Sequence, residues 1–374
     1  MRALKLALVG LSCLFLTACD DFLAQLSASS PIPGNTTNKV AVLLPLSGDL
    51  ASFGGEMRNA ITMAANDRGG DLEIQYFDTQ GTLEGARAAG SQARAFGAGV
   101  VLGPLVGNNI ASARAGLGGG TPIVSFSNDV SKASPNNFIF GITPANSTRR
   151  ILQYAASEGK RNIGILYPQN SFGIAAEAAA KQMAGGLGIN IVSSLGYSAD
   201  VGREGAASRQ TAANEMGKLR EEIDGIFIPD SSGRLREVSS LAFFYRLDPR
   251  NEAYLGTHLM DDAALTSEPA LNGAHFSALQ GSLAEFEQRF ATSYGRAPRT
   301  SSIVAYDALS MVAGLRASGQ GFSAGTLSNS SGFTGVLGTY RLNNNGTVER
   351  LMSIKQITPS GIQVVQAAGS SFMF

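Results

Sequence analysis

Val40-Ala41-Val42-Leu43-Leu44-Pro45-Leu46-Ser47-Gly48 is an apolar run that stops at a proline and a Ser-Gly pair, and Ser52-Phe53-Gly54 opens a helical stretch just beyond it. Its aliphatic part, 40–44, reads as a strand. Working outward, residues 72–77, 100–102 and 123–125 also read as strands, while 54–66, 82–96 and 108–117 carry apolar residues at helical spacing. Alternation of this kind predicts an α/β fold, a parallel sheet covered by helices.

A second series follows Gly141-Ile142-Thr143-Pro144, with strands at 162–166, 189–193 and 225–228 and helices at 147–157, 172–183 and 209–223. A second doubly wound lobe is therefore expected. Helices at 282–294 and 301–317 come next, then strands at 335–342 and 351–358 joined by Asn343-Asn344-Asn345-Gly346, whose Asn-Gly pair is a strong hairpin signal. The charged stretch 203–222 alternates in sign and reads as a solvated helical face, and 318–331 as a Gly/Ser loop.

The chain has 374 residues, enough for two globular domains, and 44% hydrophobic against 16% charged residues is too apolar for general disorder. Its 29 basic residues balance its 29 acidic ones, so no field of one sign exists to draw in nucleic acid. Only two Cys, two His and no Trp are present, against 45 Gly. Chemistry that needs thiolate or imidazole has few residues to work with.

The amino terminus carries Arg2 and Lys5, an apolar run over 6–16, and then Leu16-Thr17-Ala18-Cys19. That pattern reads as a secretory signal over residues 1–18, too short to span a membrane, and its ending resembles the bacterial lipobox in which the Cys receives lipid. Cys19 is the expected attachment point. Residues 19–38 read as a flexible tether, and Asp20 and Asp21 resemble an inner-membrane retention signal. Cys13 leaves with the signal, so the folded part is expected to hold no thiol. The anchor is expected in the inner or outer membrane, facing the periplasm.

Taken in order, the opening run, Phe53-Gly54, Phe77-Asp78-Thr79, Val101-Leu102-Gly103-Pro104-Leu105 and Pro122-Ile123-Val124-Ser125-Phe126-Ser127 resemble the leucine-binding-protein branch of the type I periplasmic binding proteins. The resemblance continues through Tyr167-Pro168, Phe172-Gly173, Phe227-Ile228-Pro229-Asp230, Tyr306-Asp307-Ala308 and Thr334-Gly335. Within that branch, Leu-Leu-Pro-Leu-Ser-Gly, Leu-Gly-Pro-Leu and Ser-Phe-Ser-Asn-Asp on a lipoprotein look most like the short penicillin-binding protein activators of alphaproteobacteria. The space between Cys19 and Lys39 cannot hold the helical-repeat domain that precedes this one in the better-studied activator.

The resemblance implies two lobes joined by a three-crossing hinge, with crossings near residues 143, 275 and 332. Lobe 1 would comprise 39–143 and 275–331, lobe 2 144–274 and 332–374, and a ligand would sit in the cleft between them. Residues that match the family's ligand positions are Asn108, Asn109, Ser127, Asn128 and Asp129 in the first lobe and Phe172, Asp230, Ser231 and His258 in the second. Of the second group, Asp230 is the one that keeps an obvious ammonium partner. Ser47 and Phe53 face the same cleft, although turn chemistry and helix capping ask for the same residue types.

Enzymatic signatures are weak. The one Gly-x-Ser-x-Gly match, 321–325, falls in the Gly/Ser loop, where no nucleophile elbow forms. No phosphate-binding glycine loop is present, and two histidines leave a zinc site mostly carboxylates. The expectation is a non-catalytic protein without cofactor or metal that docks on a peptidoglycan synthase. The alternative is a receptor for amino acids or related small ligands, serving an ABC importer or a sensor.

Overall fold

The computed structural model describes residues 37–281 and 283–372. The signal over 1–18, Cys19 and the tether as far as residue 36 lie outside the described residues. Strand β1 (Lys39–Leu44) has Val40 to Leu44 completely buried, because it is central in its sheet and covered on both faces. It pairs in parallel with β2 (Glu73–Asp78) and β3 (Val100–Leu102), and β4 (Ile123–Ser125) and β5 (Asn137–Ile139) complete the order β2-β1-β3-β4-β5. Helices α1 (Ala51–Arg68), α2 (Leu83–Phe96) and α3 (Asn109–Leu117) make the crossovers. Thr82 starts α2 by accepting a hydrogen bond from the Gly85 amide, and Gly97 ends it at φ 79°, a left-handed conformation that glycine adopts freely.

The second sheet begins after α4 (Pro144–Ser157). It contains β6 (Asn162–Pro168), β7 (Asn190–Tyr197), β8 (Gly225–Phe227), β9 (Ala253–Gly256), β10 (His275–Leu279), β14 (Met352–Thr358) and β15 (Gly361–Gln366), in the order β15-β14-β10-β9-β8-β6-β7. Helices α5 (Ser171–Ala184), α6 (Arg203–Lys218) and α7 (Ser232–Phe244) cross over it. The parallel part of each sheet thus repeats one plan, with the first strand beside the third. In both, the carboxyl ends of neighbouring strands send their loops in opposite directions and leave a crevice.

Helices α8 (Leu283–Tyr294) and α9 (Thr300–Ala317) return to the first sheet, where Phe286, Phe290, Ile303 and Leu309 share one core with Val40, Val42 and Leu44. A short helix α10 (Ala324–Leu327) follows, and then a three-stranded antiparallel sheet, β11 (Phe333–Gly335), β12 (Gly338–Leu342) and β13 (Val348–Arg350). Tyr340, Leu342 and Val348 belong to the same first-lobe core.

These placements move two of the expected crossings. His275 and Phe276 pair with Leu255 and Gly256, and Phe276 and Ala278 are buried in the second lobe's core, so the chain returns to the first lobe after β10 rather than at 275. The last crossing falls between Arg350 and Met352, not at 332. The hairpin expectation changes for the same reason: β12 turns through 343–347 onto β13, with Gly346 at φ 83°, whereas β14 leaves to pair with β10. The charged stretch is not wholly solvated either, since Arg209 on α6 is buried and pairs with Glu237 at 2.8 Å. Among the described residues, no helix is long and apolar enough to cross a membrane.

Candidate functional site

The site is built from loops at the carboxyl ends of β1, β3 and β4 in one lobe and of β6, β8 and β9 in the other. After β1, Ser47 Oγ donates to Asp78 Oδ2 at 2.6 Å, and the Leu46 and Gln80 amides donate to Oδ1, each at 2.8 Å. Burial pushes the Asp78 carboxyl up, but these bonds outweigh it and hold the group below its ordinary value. Ser47 therefore braces the end of β2. Gly54 lets α1 cross this loop closely, for a Cβ there would sit 2.0 Å from the Pro45 carbonyl oxygen. Phe53 is 39% exposed, and the Arg299 guanidinium lies 4.3 Å from its ring centroid. That cation is held in turn by Glu56, buried at the start of α1.

The loops after β3 and β4 abut, since a Cβ on Gly107 would meet Ser127 Oγ at 2.8 Å. Asn108 is the N-cap residue of α3 and makes no side-chain cap bond; Asn109 is buried, and its Nδ2 has no hydrogen-bond partner among the described residues. Ser127 is buried and its Oγ accepts from the Asp129 amide, while Asn128 is exposed. Asp129 Oδ1 accepts from both the amide and the hydroxyl of Ser131, so its carboxylate caps the turn that follows.

In the second lobe, Asp230 is only 1% exposed and fully engaged. Its Oδ2 accepts from Tyr197 Oη at 2.9 Å and Arg234 Nε at 3.1 Å, and its Oδ1 from Arg234 Nη2 and the Ser231 amide, each at 2.8 Å. The expected ammonium acceptor is occupied by an internal guanidinium one helical turn away. Burial, and then the Asp230 charge, push the Tyr197 phenol well above its ordinary value, so it stays a donor. Ser231 is the N-cap of α7 without a side-chain cap bond, and Ser232 follows it at φ 48°.

Phe172, at the start of α5, meets His258 edge to face with centroids 5.8 Å apart. These two candidates are brought together. His258 Nδ1 lies 2.7 Å from Ser147 Oγ. Although the residue is only partly buried overall, desolvation of the ring and then the charge of Arg350 pull its pKa down from 6.5 to about 4. Ser147 is completely buried in α4, so this Ser–His contact places neither an accessible nucleophile nor a base poised near neutrality. Ser323 of the Gly-x-Ser-x-Gly match caps α10 by accepting from the Thr326 amide.

Arg350 escapes the sequence reading. It ends β13 where the chain leaves the first lobe, and among the described residues its side chain makes one hydrogen bond, Nη2 to the Phe140 carbonyl at 2.8 Å. Nε and Nη1 are buried without a partner among the described residues. The one signal in the sequence is a cation in a stretch flanked by Val348 and Met352. With the last crossing expected at 332, that stretch was not placed at the hinge.

Residues 37–211 match the Periplasmic binding protein family. Among curated protein sequences the chain has no match. Among solved structures it is similar to a branched-chain amino acid ABC transporter protein from Rhodospirillum rubrum, at 17% identity and TM-score 0.73, covering 87% of this chain and 99% of that one. It is also similar to the C-domain of LpoA from Haemophilus influenzae, a regulator of PBP1A, at 18% identity and TM-score 0.66, covering 87% and 99%. A third is an ABC transporter solute binding protein from Rhodopseudomonas palustris in complex with 3,4-dihydroxybenzoic acid, at 16% identity and TM-score 0.62, covering 90% and 98%. With a periplasmic binding protein match over its first half and these structures alongside nearly its whole length, the chain has the fold of the type I periplasmic binding proteins.

Proposed function

We propose that this chain is a non-catalytic periplasmic accessory protein, anchored through lipid on Cys19, that docks on a peptidoglycan synthase as a penicillin-binding protein activator. The observation that carries the reading is the closure of Asp230 by Arg234 and Tyr197. A receptor for α-amino acids needs an acidic group to meet the ligand ammonium, and here an internal cation already fills that place. Ser47, Asp129 and Phe53 are likewise engaged by neighbours in their own lobe. The likeness to the LpoA C-domain supports the same reading, while the transporter neighbours keep the small-ligand receptor as its competitor.

Crosslinking of the full chain in cells, followed by recovery of the adducts, tests the proposal. A wall synthase among the adducts is the expected result, and a set of adducts without one counts against it. A thermal-shift series with amino acids, short amides and muropeptides separates the alternative. A native-state ligand raises the midpoint, so a rise with an amino acid favours the receptor.

A further inference from the structure

We propose that Arg350, at the hinge between the lobes, is an anion-recognition residue that takes a small monocarboxylate on the unpaired donors of its guanidinium. A guanidinium offers five N–H donors and holds its charge at any physiological pH. In Arg350 the described residues engage one side-chain nitrogen, Nη2, through the Phe140 carbonyl, and leave Nε and Nη1 unpaired although the residue is only 5% exposed. Both bidentate forks of a guanidinium share Nη2, so whichever of its hydrogens Phe140 takes, one complete fork remains. That fork matches a carboxylate. Buried donors are nearly always paired, and an unpaired set on a full positive charge calls for an account.

The surroundings fit an organic acid better than a multiply charged anion. The Arg350 Cζ lies 4.8 Å from the Phe140 centroid and 5.1 Å from that of Tyr340, so two rings pack on the cation. Asp307 is near enough to offset part of the charge, yet both its oxygens are taken by the Val336 and Leu337 amides at 2.7 and 3.0 Å, which keeps it off the guanidinium. One cation with a carboxylate close by suits a single negative charge. His258, near enough for the Arg350 charge to act on it, adds a neutral ring against Phe172. The Phe140 and Gly141 amides bond to the Ser125 and Ser127 carbonyls, which puts Arg350 directly behind the loop after β4.

Position gives such binding a consequence. Arg350 is the last residue of its sheet before the chain enters β14, and Asn146 Nδ2 at the start of α4 bonds to the Val348 carbonyl at 2.7 Å. An anion seated here would touch the joint on which the lobes turn. The inference goes beyond the docking role and does not rest on it, because it is measured on the purified chain with no partner.

Calorimetric titration of the full chain with sodium acetate, sodium benzoate, benzamide and inorganic phosphate is the test. Saturable binding of a carboxylate is expected, with benzamide at least about tenfold weaker because it lacks the charge. Arg350→Lys keeps a charge but loses the fork and should weaken the carboxylate about tenfold or more. Arg350→Met should abolish binding; it also takes the cation away from Asp307, so the fold of the variant is checked by circular dichroism. If Arg350→Met does not fold, Arg350→Lys decides alone. No saturable binding of either carboxylate, undiminished binding by the folded variants, or phosphate binding as tightly as the acids would each overturn the proposal.

Discussion

Replacing Arg234 with Met asks how firmly the second lobe closes its own acidic group. The substitution removes two hydrogen bonds of 3.1 and 2.8 Å and the cation paired with Asp230, and leaves the carboxylate buried. Breaking a buried ion pair from one side costs about 3–5 kcal/mol. Arg234 is 26% exposed, and Asp230 retains the Tyr197 hydroxyl and the Ser231 amide, so the cost falls at or just under the bottom of that range, about 2–3 kcal/mol. For a lobe of this size that is a fall in Tm of roughly 5–10 °C. The double variant Asp230→Asn, Arg234→Met removes both charges and should recover more than half of the loss, which the cycle of four proteins reads as coupling. Thermal unfolding followed by circular dichroism, with and without leucine, is sufficient. Native protein should show no leucine shift. The reasoning fails if Arg234→Met unfolds within about 0.5 kcal/mol of the native chain, or if leucine stabilises the native protein and Asp230→Asn abolishes the effect.

Glu56 is buried and takes the Arg299 amide and the Ser302 hydroxyl on one oxygen and the Arg299 and Arg296 guanidinium groups on the other, so Glu56→Gln should cost about 3 kcal/mol in urea denaturation; a loss below about 1 kcal/mol would show the cluster to be ornamental. Gly54→Ala sets a methyl 2.0 Å from the Pro45 carbonyl oxygen and should cost about 3 kcal/mol or more, with the α1 start displaced; an unchanged midpoint refutes the close approach. His258 binds its proton more readily unfolded, at 6.5, than folded, at about 4, so its share of stability is complete above 6.5 and is lost as pH falls to about 4, a total of about 3 kcal/mol. His275, also lowered by burial, adds to the same slope. Urea titrations at about pH 7.5 and about pH 4.5 should show the loss shrink in His258→Gln, and an undiminished loss contradicts the assignment.

Strands β1, β2 and β3 of the first lobe were legible because each is followed within a few residues by the helix that covers it. Residues 40–44 and Thr82 announce a strand and a helix cap within a few positions, and the structure places them so. Strands β5, β9 and β10 were not, being three to five residues long, too short for a period to show, so that pairing with distant strands decides where they lie. The two displaced crossings have the same origin. Whether 275–279 joins one sheet or the other depends on pairing with β14, more than seventy residues on, and nothing local to His275 encodes that. At the site, Asp230 was expected to meet a ligand ammonium; Arg234 stands at i+4 in the sequence, but that it takes this carboxylate, and that Tyr197, 33 residues earlier, joins it, emerges only in three dimensions.

The pattern of bonds around the crevice bears on what the fold can do. Ser47 bonds to Asp78 and Asp129 to Ser131 within the first lobe; Asp230 bonds to Tyr197 and Arg234 within the second. The contacts that join the lobes are instead at the hinge, where Asn146 meets Val348 and Arg149 lies 3.8 Å from Glu349. Changing the angle between the lobes therefore breaks few of the candidate residues' bonds, and each lobe keeps its loops braced while it moves. The angle is set by small free energies, of the size that a single bound anion or one docked protein surface supplies. A hinge of that kind serves a receptor and a docking protein equally well. What separates the two uses is whether the polar groups lining the crevice are left open for a ligand, and the bond that Arg234 makes to Asp230 closes the one that an amino acid would need.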